Sequence, residues 1–510
     1  MKRLFAALLL LLLACTLSAC AVAPPGAGAD GRVHVTILHF NDIYEIAPTG
    51  DGKEGGLARV ATLRRQLLAR NPNTITTLGG DLFSPSALGT APFEGDRLAG
   101  RQMVDVLNHL GVDYATFGNH EFDLNENQFH QRMAEARFTW VSSNVADAGG
   151  RPFAGVRPNV VLPFVDDRTG RAFRIGLFGL TEGLNHASYV RYADPQQAAG
   201  EQVRQLEGQA DFIIALTHQT LAKDVELLER LPRIGLLLGG HEHENLQFWR
   251  GRFSPLLKAD ANVRSVYVVD LFFDPKSGRT EVRPRLVPID DRLSDDPQLK
   301  AVVERWMGVA LESFRAQGFA LQDQVTVTTE PLDGLEAHVR RGSTALTELV
   351  ARSMLRPYPQ AELSLFNSGA IRIDDVLPPG PITVYDVVRV LPFGGKVQLA
   401  AIKGSLLQRV LEQSEANVGG GGFLQGANVR KVDGRWQVAG APIDAARSYR
   451  LAINDFLASG KEQNLDFLAP GPELRIDDAG AAHDVRQLVI DALKGAALQG
   501  APGGAYSPGN

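Results

Sequence analysis

The stretch VHVTILHFND, Val33 to Asp42, is a short apolar run that ends in an asparagine and an aspartate. Its β-branched and apolar residues predict a buried strand that stops at this polar pair. An amphipathic segment follows, GLARVATLRRQLLAR (residues 56–70), and then a second apolar run, TITTLGGD, which ends at Asp81. Strands that alternate with helices predict an α/β fold, in which functional side chains gather at the carboxyl ends of the strands.

The same arrangement recurs along the first half of the chain. The apolar runs YATFG, DFIIALTH and IGLLLGGHEH each end at or beside an amide or imidazole side chain. The segments VRSVYVVDLFFD and TEVRPRLVPI predict a β-hairpin that closes this domain. A chain of 510 residues is long enough for two or three domains. We predict a first domain at 33–295, a linker helix at 296–324, a second α/β domain at 325–495 and a disordered tail at 496–510.

The N-terminus predicts export. Two basic residues precede the apolar run FAALLLLLLA, which is too short to span a bilayer comfortably and is typical of a signal peptide. The run ends in LSAC, which resembles a bacterial lipobox, so we predict a signal peptide at 1–19, lipidation of Cys20 and a flexible tether at 20–32. The alternative is an ordinary signal peptide cut nearby. Because Cys15 and Cys20 both lie in this segment, we expect no disulfide in the mature protein.

Composition and charge limit the expected partners. Hydrophobic residues make up 44% of the chain and charged residues 22%, which are ordinary values for a globular protein. The formal net charge of -6 gives no reason to expect nucleic acid as a partner. The residue after Cys20 is Ala21. An Asp at this position commonly retains a lipoprotein in the inner membrane, so its absence favours a lipid-anchored protein of the outer membrane. The oligomeric state is not predicted by the sequence.

Five short motifs place metal-binding side chains at the ends of apolar runs. Of the 11 histidines in the chain, four lie in these motifs. A single histidine after a strand is commonly structural, but this concentration favours a metal site. The motifs contribute Asp42, Asp81, Asn119, His120, His218, His241 and His243.

These residue types fit a two-metal phosphoesterase centre. Two cations about 3.5–4 Å apart can bind a phosphate and stabilise the transition state of its transfer. Asp81 is suited to bridge them because a carboxylate offers two oxygens. Imidazole and oxygen ligands suit Zn²⁺, Mn²⁺ or iron. His120 is placed to protonate a leaving alkoxide as a general acid, with Asp123 setting its tautomer.

Further motifs extend this pattern through both halves of the chain. The segments HFND, GGLAR, GGDLFSPS, ATFGNHEFD and SSNV lie in the first half, and FNSGAIR, DVVRVLPFGGKVQLAAIKGSLL and NDFLASG lie in the second. Together they resemble the bacterial 5'-nucleotidase family, which joins a calcineurin-like metallophosphoesterase domain to a 5'-nucleotidase C-terminal domain. The resemblance implies a four-layer α/β/β/α sandwich that holds the metals. It also implies a separate α/β domain, joined by a linker helix, that binds the nucleoside and rotates to deliver it.

The resemblance also implies a nucleotide substrate and two divalent metal ions, with Zn²⁺ or Mn²⁺ as candidates. One metal would take Asp42, Asp81 and His243, and the other Asp81, Asn119, His218 and His241. His120 and Asp123 would form the catalytic dyad.

The second domain would bind the nucleotide. By the same resemblance, Asn367 and Arg372 would contact it, and Phe393 and Phe456 would stack on its base. The acid near the base would be Asp466 or Glu462, or would be missing. Arg340 or Arg341 would be a further phosphate contact. The alternative for the two phenylalanines is that they are ordinary core residues.

Tyr44 departs from the family, which has a histidine at this position of a D-x-H motif. Three interpretations are open: a phenolate ligand, a pocket residue beside a water that completes the coordination, or an impaired metal site. A phenol has a pKa near 10, so ligation would favour Fe³⁺ over a divalent ion. Further departures are Thr347-Glu348 in place of a G-N pair and GKEQNLDF in place of a segment containing GGDGF.

Two functional hypotheses follow. The first is a metal-dependent phosphomonoesterase that hydrolyses 5'-nucleotides, with UDP-sugars and 2',3'-cyclic nucleotides as further candidate substrates. The second is a catalytically impaired lipoprotein that binds nucleotides or acts as an adhesive surface protein, which the departures motivate. The intact Asp81, His120 and later histidines favour the enzyme.

Overall fold

The structure is a computed structural model, which describes residues 31–50, 52–166, 170–252, 254–477 and 482–499. The predicted signal peptide and Cys20 lie outside the described residues, as do residues 500–510 of the predicted tail. Within the described ranges, no helix combines the length and the apolar character needed to cross a membrane.

The first of two large sheets carries the strand that opens the fold. Val33–Phe40 pairs in parallel with Thr74–Leu78 and antiparallel with Ser265–Asp274, the first strand of the predicted closing hairpin. Asp42 and Asp81 therefore leave neighbouring strands at the same edge of the sheet. In spatial order the six strands are Arg279–Pro288, Ser265–Asp274, Val33–Phe40, Thr74–Leu78, Tyr114–Ala115 and Thr139–Trp140.

The second large sheet supplies the later histidines. Its central strand Phe212–His218 pairs in parallel with Ile234–Gly239 on one side and Arg171–Thr181 on the other. His218 thus ends a strand, and His241 and His243 follow the neighbouring one. In spatial order the six strands are Leu246–Arg250, Ser254–Lys258, Ile234–Gly239, Phe212–His218, Arg171–Thr181 and Asn159–Asp166.

The two sheets pack face to face between two layers of helices. Apolar side chains such as Val35, Ile175 and Leu236 fill the space between the sheets. Separate apolar clusters pack helices against the outer face of each sheet. This is the α/β/β/α order that the resemblance implies. The helices are Leu57–Arg70, Arg101–Leu110, Glu126–Glu135 and Pro297–Ala316 on the first sheet, and Pro195–Leu206 and Leu221–Arg230 on the second.

The helix between the two domains begins as the sequence predicts and ends earlier. Asp296 caps Pro297–Ala316 by accepting hydrogen bonds from the backbone of Gln298 and Leu299 at 2.9 and 3.0 Å. The predicted linker continued to residue 324, whereas the helix ends at Ala316. Its Trp306 is buried and donates a hydrogen bond to Asp105 at 2.8 Å. The helix is therefore packed on the first domain along its length.

The second domain is built on a smaller mixed sheet with helices on both sides. In spatial order its strands are Leu424–Ala427, Leu363–Asn367, Ser448–Asn454, Lys396–Lys403 and Leu474–Ile476, and His483–Asp484 also pairs with Lys396–Lys403. Its helices are Glu336–Val339, Ala345–Leu355, Val384–Val390, Gly404–Ala416, Asp455–Ala458 and Val485–Gln499. The last helix continues past the predicted boundary at residue 495, so that boundary is placed too early.

Short strands complete the described fold. They form the pairs Pro92–Phe93 with Asp96–Arg97, Val145–Asp147 with Val190–Tyr192, Gln324–Thr328 with Gly380–Thr383 and Leu332–Asp333 with Val376–Leu377, and the three-stranded set Val429–Val432, Arg435–Val438 and Ala441–Pro442.

Candidate active site

Three of the predicted metal ligands converge at the strand ends. Ligand atoms of Asp42, Asp81 and His218 all lie within 4.8 Å of one another, and all three residues are buried. The first two follow parallel strands of the first sheet, and His218 ends the central strand of the second. The cluster therefore lies where the two sheets meet at their carboxyl edge.

Four predicted site residues at this edge have an unfavourable backbone conformation. Asp42, Asp81, His241 and His243 all have a positive φ, at 52°, 57°, 98° and 61°. A non-glycine residue adopts this left-handed conformation at a cost, and such residues concentrate at functional sites. The backbone at Gly118 lies close to the Asp81 side chain, and only a glycine fits there because a Cβ would lie 2.0 Å from the Asp81 carboxylate.

His218 is oriented by the backbone of the turn before Asp81. Its Nδ1 donates to the carbonyl of Gly79 at 2.8 Å. Its Nε2 then faces the Asp81 carboxylate at 3.3 Å and the Asn119 side-chain oxygen at 3.2 Å. The His241 ring lies 5.3 Å from the His218 ring, centre to centre. The four side chains predicted for one metal are thus brought together.

Tyr44 lies among the side chains predicted for the other metal. The ring nitrogen Nε2 of His243 lies 3.5 Å from Asp42 Oδ1. The Tyr44 hydroxyl lies 2.8 Å from the same nitrogen, 3.2 Å from Asp81 Oδ2 and 3.4 Å from Asp42 Oδ1. The tyrosine is buried and its hydroxyl points into the cluster, so both the ligand and the pocket interpretations remain geometrically sound.

The buried carboxylates of the cluster favour positive charge beside them. Burial opposes a charge on His218, but the carboxylates of Asp81 and Asp42 outweigh it and raise the pKa of the imidazole to about 10. Burial likewise opposes a charge on Asp81, yet His218 holds the pKa of its carboxyl well below the usual range. Burial and these two carboxylates raise the pKa of Tyr44 well above its ordinary value, so its phenol ionises only next to a strong cation.

His120 stands beside the cluster and is fixed by Asp123. Its Nδ1 donates to the Asp123 carboxylate at 2.7 Å, and its backbone N–H donates to Asp81 at 2.8 Å. The carboxylate of Asp123 also accepts from Ser84 and from Asn185, each at 2.9 Å. With Nδ1 engaged, Nε2 is the ring nitrogen that can carry a proton to a substrate.

Two carboxylates that sequence reasoning missed, the buried Glu121 and the partly buried Glu242, hold the turns that carry the predicted ligands. Glu121 accepts from the backbone N–H of Asp81 at 3.0 Å and of Leu82 at 2.6 Å, and burial raises its pKa to about 7. Glu242 pairs with the buried Lys258 at 2.5 Å. Both lie inside quoted motifs, GNHEFD and GGHEH, so their position beside ligands was the signal that could have identified them.

The second domain presents two arginines towards this edge. Arg372 lies 3.4 Å from the Glu336 carboxylate, and Arg340 pairs with the same carboxylate. The Nε atoms of both guanidinium groups are buried and have no hydrogen-bond partner among the described residues. Glu336 itself lies 3.8 Å from the ring of His243. The predicted phosphate contact Arg372 is therefore next to the metal cluster.

The two predicted stacking residues are on the surface. Phe393 is 45% exposed and Phe456 is 46% exposed. The alternative interpretation, that they are ordinary core residues, is therefore wrong. The Arg372 guanidinium lies 5.6 Å from the centre of the Phe393 ring, which places this aromatic surface beside the arginine.

The predicted acid near the base needs a correction. The Asn367 amide donates to the Glu462 carboxylate at 2.7 Å, and its oxygen accepts from Asn454 at 3.1 Å. Asp466 is exposed on the loop that follows. Glu462 therefore replaces Asp466 as the candidate, because Glu462 is the acid that contacts Asn367, and the sequence of GKEQNLDF did not show which acid does so.

Comparison with known proteins decides the family. A profile described as calcineurin-like phosphoesterase matches residues 35–245, and one described as 5'-nucleotidase, C-terminal domain, matches residues 324–469. The chain belongs to the 5'-nucleotidase family of calcineurin-like phosphoesterases. The predicted family, α/β architecture and enzyme class, a metal-dependent phosphoesterase, are thereby confirmed.

Curated relatives match over most of their length. The chain is 25% identical to a snake venom 5'-nucleotidase of Naja atra over 84% of this chain and 91% of that protein. It is 27% identical to protein UshA of Yersinia enterocolitica over 84% of this chain and 86% of that protein. Its fold is that of a 5'-nucleotidase precursor from Thermus thermophilus, with a TM-score of 0.75, 24% identity, and coverage of 91% of this chain and 97% of that one.

Proposed function

We propose that the protein is a metal-dependent phosphomonoesterase that releases phosphate from 5'-nucleotides, with UDP-sugars and 2',3'-cyclic nucleotides as further candidate substrates. The observation that carries the proposal is the buried cluster of Asp42, Asp81 and His218 beside the His120–Asp123 pair. The names of the relatives, 5'-nucleotidases among them, support a nucleotide as the substrate.

The donors of the cluster fit two metal ions. The proposed ligands are Asp42, Asp81 and His243 for one ion, and Asp81, Asn119, His218 and His241 for the other, with Tyr44 a further candidate for the first. Carboxylate, amide and imidazole donors suit Zn²⁺ or Mn²⁺, and a ligating Tyr44 would favour iron. When bound, such ions supply positive charge that stabilises the transferring phosphoryl group and lowers the pKa of water.

The protein's own side chains would do the rest of the chemistry. His120 would act as an imidazolium that gives the proton on Nε2 to the leaving alkoxide, while Nδ1 keeps its proton towards the Asp123 carboxylate. Ser84 and Asn185 fix Asp123 in turn. An alkoxide is a poor leaving group, so its protonation is the step at which a general acid raises the rate most.

The second domain would bind the nucleotide. Arg372 and Arg340 carry the charge for the phosphate, and both guanidinium groups lie at the Glu336 carboxylate beside His243. Phe393 and Phe456 expose rings on which a base can stack, at about 1–3 kcal/mol per base for any base. Asn367 and Glu462 supply hydrogen-bonding groups beside this surface.

We propose in addition that the protein is exported and anchored to a membrane through a lipid on Cys20, with the outer membrane as the favoured location. Its support is the N-terminal sequence alone: the basic start, the short apolar run and the LSAC motif. Mass spectrometry of the membrane fraction would show the N-terminal fragment beginning at a diacylated Cys20, and an unmodified N-terminus would refute it.

A substrate panel tests the proposed activity. The full-length mature protein is chelated and reloaded with Zn²⁺ or Mn²⁺. It is then assayed for phosphate release from mononucleotides and for nucleoside monophosphate formed from UDP-sugars and 2',3'-cyclic nucleotides. We expect turnover of 5'-mononucleotides that is lost on chelation. Tight nucleotide binding without any phosphate release, in protein shown to contain both metals, would instead support the second hypothesis of an impaired nucleotide-binding lipoprotein.

A further inference from the structure

One metal-ligand candidate is held by a side chain of the other domain. His243, on the loop after Ile234–Gly239, has its ring Nδ1 2.9 Å from the carboxylate of Asp374 in the second domain. An ionised carboxylate only accepts hydrogen bonds, so Nδ1 carries the proton. The other nitrogen, Nε2, faces Asp42 and Tyr44 and is therefore the one available to ligate a metal.

Further hydrogen bonds fix the position of Asp374 and of the loop that carries His243. The second oxygen of Asp374 accepts from the backbone N–H of Glu336 at 2.8 Å, so the carboxylate has a fixed orientation. Arg264 of the first domain donates to the backbone carbonyl of Asp374 at 3.4 Å and to that of His243 at 3.5 Å. Asp374 is buried, and its backbone has a φ of 39°, in the left-handed region. The loop therefore has a costly backbone conformation at the residue whose carboxylate contacts the imidazole.

Other contacts between the domains lie on the loop that carries Asp42. Glu45 accepts a hydrogen bond from the Tyr385 hydroxyl at 3.1 Å and lies 3.4 Å from Arg389. The second domain therefore touches two of the three loops that supply ligands to the first metal. Of the ligands proposed for the second metal alone, Asn119 and His218 lie at other strand ends, and His241 lies on the His243 loop.

We propose that Asp374 is a positioning residue for His243, so that contact of the second domain with the first strengthens binding of the first metal. Removing the carboxylate partner of a metal-ligating histidine typically costs about 10- to 100-fold in metal affinity. Because binding equilibria are reciprocal, a metal bound at His243 in turn stabilises the contact between the domains. This inference rests on the metal site of the proposed function. It adds that the second domain affects the affinity of that site for the first metal.

Substitutions at Asp374 test this with the backbone conformation preserved. Glycine accepts a positive φ and removes the carboxylate, whereas asparagine also tolerates this φ and keeps an oxygen that can accept from Nδ1. The control is Asp433→Gly, the same change at an exposed aspartate of the second domain whose φ is also positive, at 48°. Asp433 lies on the turn between the strands Val429–Val432 and Arg435–Val438.

The measurement is calorimetric titration of Mn²⁺ into the chelated full-length protein without substrate. We expect Asp374→Gly to weaken one of the two binding steps about 10- to 100-fold and to leave the other within about twofold. Asp374→Asn should recover most of the lost affinity, and Asp433→Gly should bind as the wild type. Equal weakening of both steps, or affinities of Asp374→Gly within about twofold of wild type, would overturn the proposal.

A second variant keeps the proposal testable if Asp374→Gly does not fold. Tyr385→Phe removes the interdomain hydrogen bond to Glu45 without touching His243, and it should weaken the same binding step by about fivefold. An unchanged step in that variant contradicts control by domain position. Because no substrate is present, these outcomes are independent of whether the protein hydrolyses nucleotides: a protein that binds both metals and hydrolyses none refutes the proposed function only.

Discussion

The metal side and the nucleotide side of the candidate site are built in opposite ways. On the metal side, Asp42 and His218 are fully buried, and each polar group is held by a neighbour. On the nucleotide side, Phe393 and Phe456 are almost half exposed, and two arginines keep unpartnered nitrogens. The first is organised before any ligand arrives, whereas the second presents surface that a ligand would cover. Rate should therefore depend on the metal side and substrate preference on the nucleotide side.

The largest expected effect is that of Asp81→Asn. The amide keeps the shape of the side chain but loses one of the two anionic oxygens proposed to bridge the metals. We expect loss of metal binding and phosphate release no higher than in chelated wild type. Elemental analysis and an AMP hydrolysis assay measure this, with the exposed Asp291→Asn as control. A variant that retains both metals would show that Asp81 is not the bridge.

His120→Ala tests the chemistry apart from the metals. We expect kcat to fall by about 10²–10⁴-fold, the usual contribution of a general acid, while both metals stay bound. The matched control is His130→Ala, a histidine with a half-exposed side chain on Glu126–Glu135. A drop of the same size that is accompanied by metal loss would place His120 in the metal site instead.

Phe456→Ala tests the nucleotide side. Loss of one stacking ring should raise KM for AMP by about 5- to 150-fold, the equivalent of about 1–3 kcal/mol. The internal control is p-nitrophenyl phosphate, which lacks a nucleobase, so its KM should change little. If KM rises equally for both substrates, the ring positions the phosphate or the domain and not the base.

The smallest effect on turnover is expected for Tyr44→Phe, which decides between the open interpretations of this residue. If the tyrosine only lines the pocket, the variant keeps its metals and most of its activity. If it is a phenolate ligand, iron-loaded wild type shows a visible charge-transfer band that is absent from Tyr44→Phe. A colourless, fully active Zn²⁺ or Mn²⁺ form excludes the phenolate.

The strand-end ligands were predictable because the periodicity of apolar residues places strand ends, and parallel strands of a sheet share one edge. Glu462 was not resolved from Asp466, since the conformation of an altered loop depends on its packing. Asp374 carried no sequence signal at all: it lies two residues after Arg372, and only the position of one domain against the other brings it to His243.

The sequence by itself determined the α/β architecture, the family and the set of side chains at the metal cluster, because these depend on local periodicity and on motifs of adjacent residues. The tertiary structure decided that the Tyr44 hydroxyl enters the cluster, that the two phenylalanines are exposed and that the second domain brings the Asp374 carboxylate to His243. Those features depend on distances between residues far apart in the chain, which only the packing of sheets and domains sets.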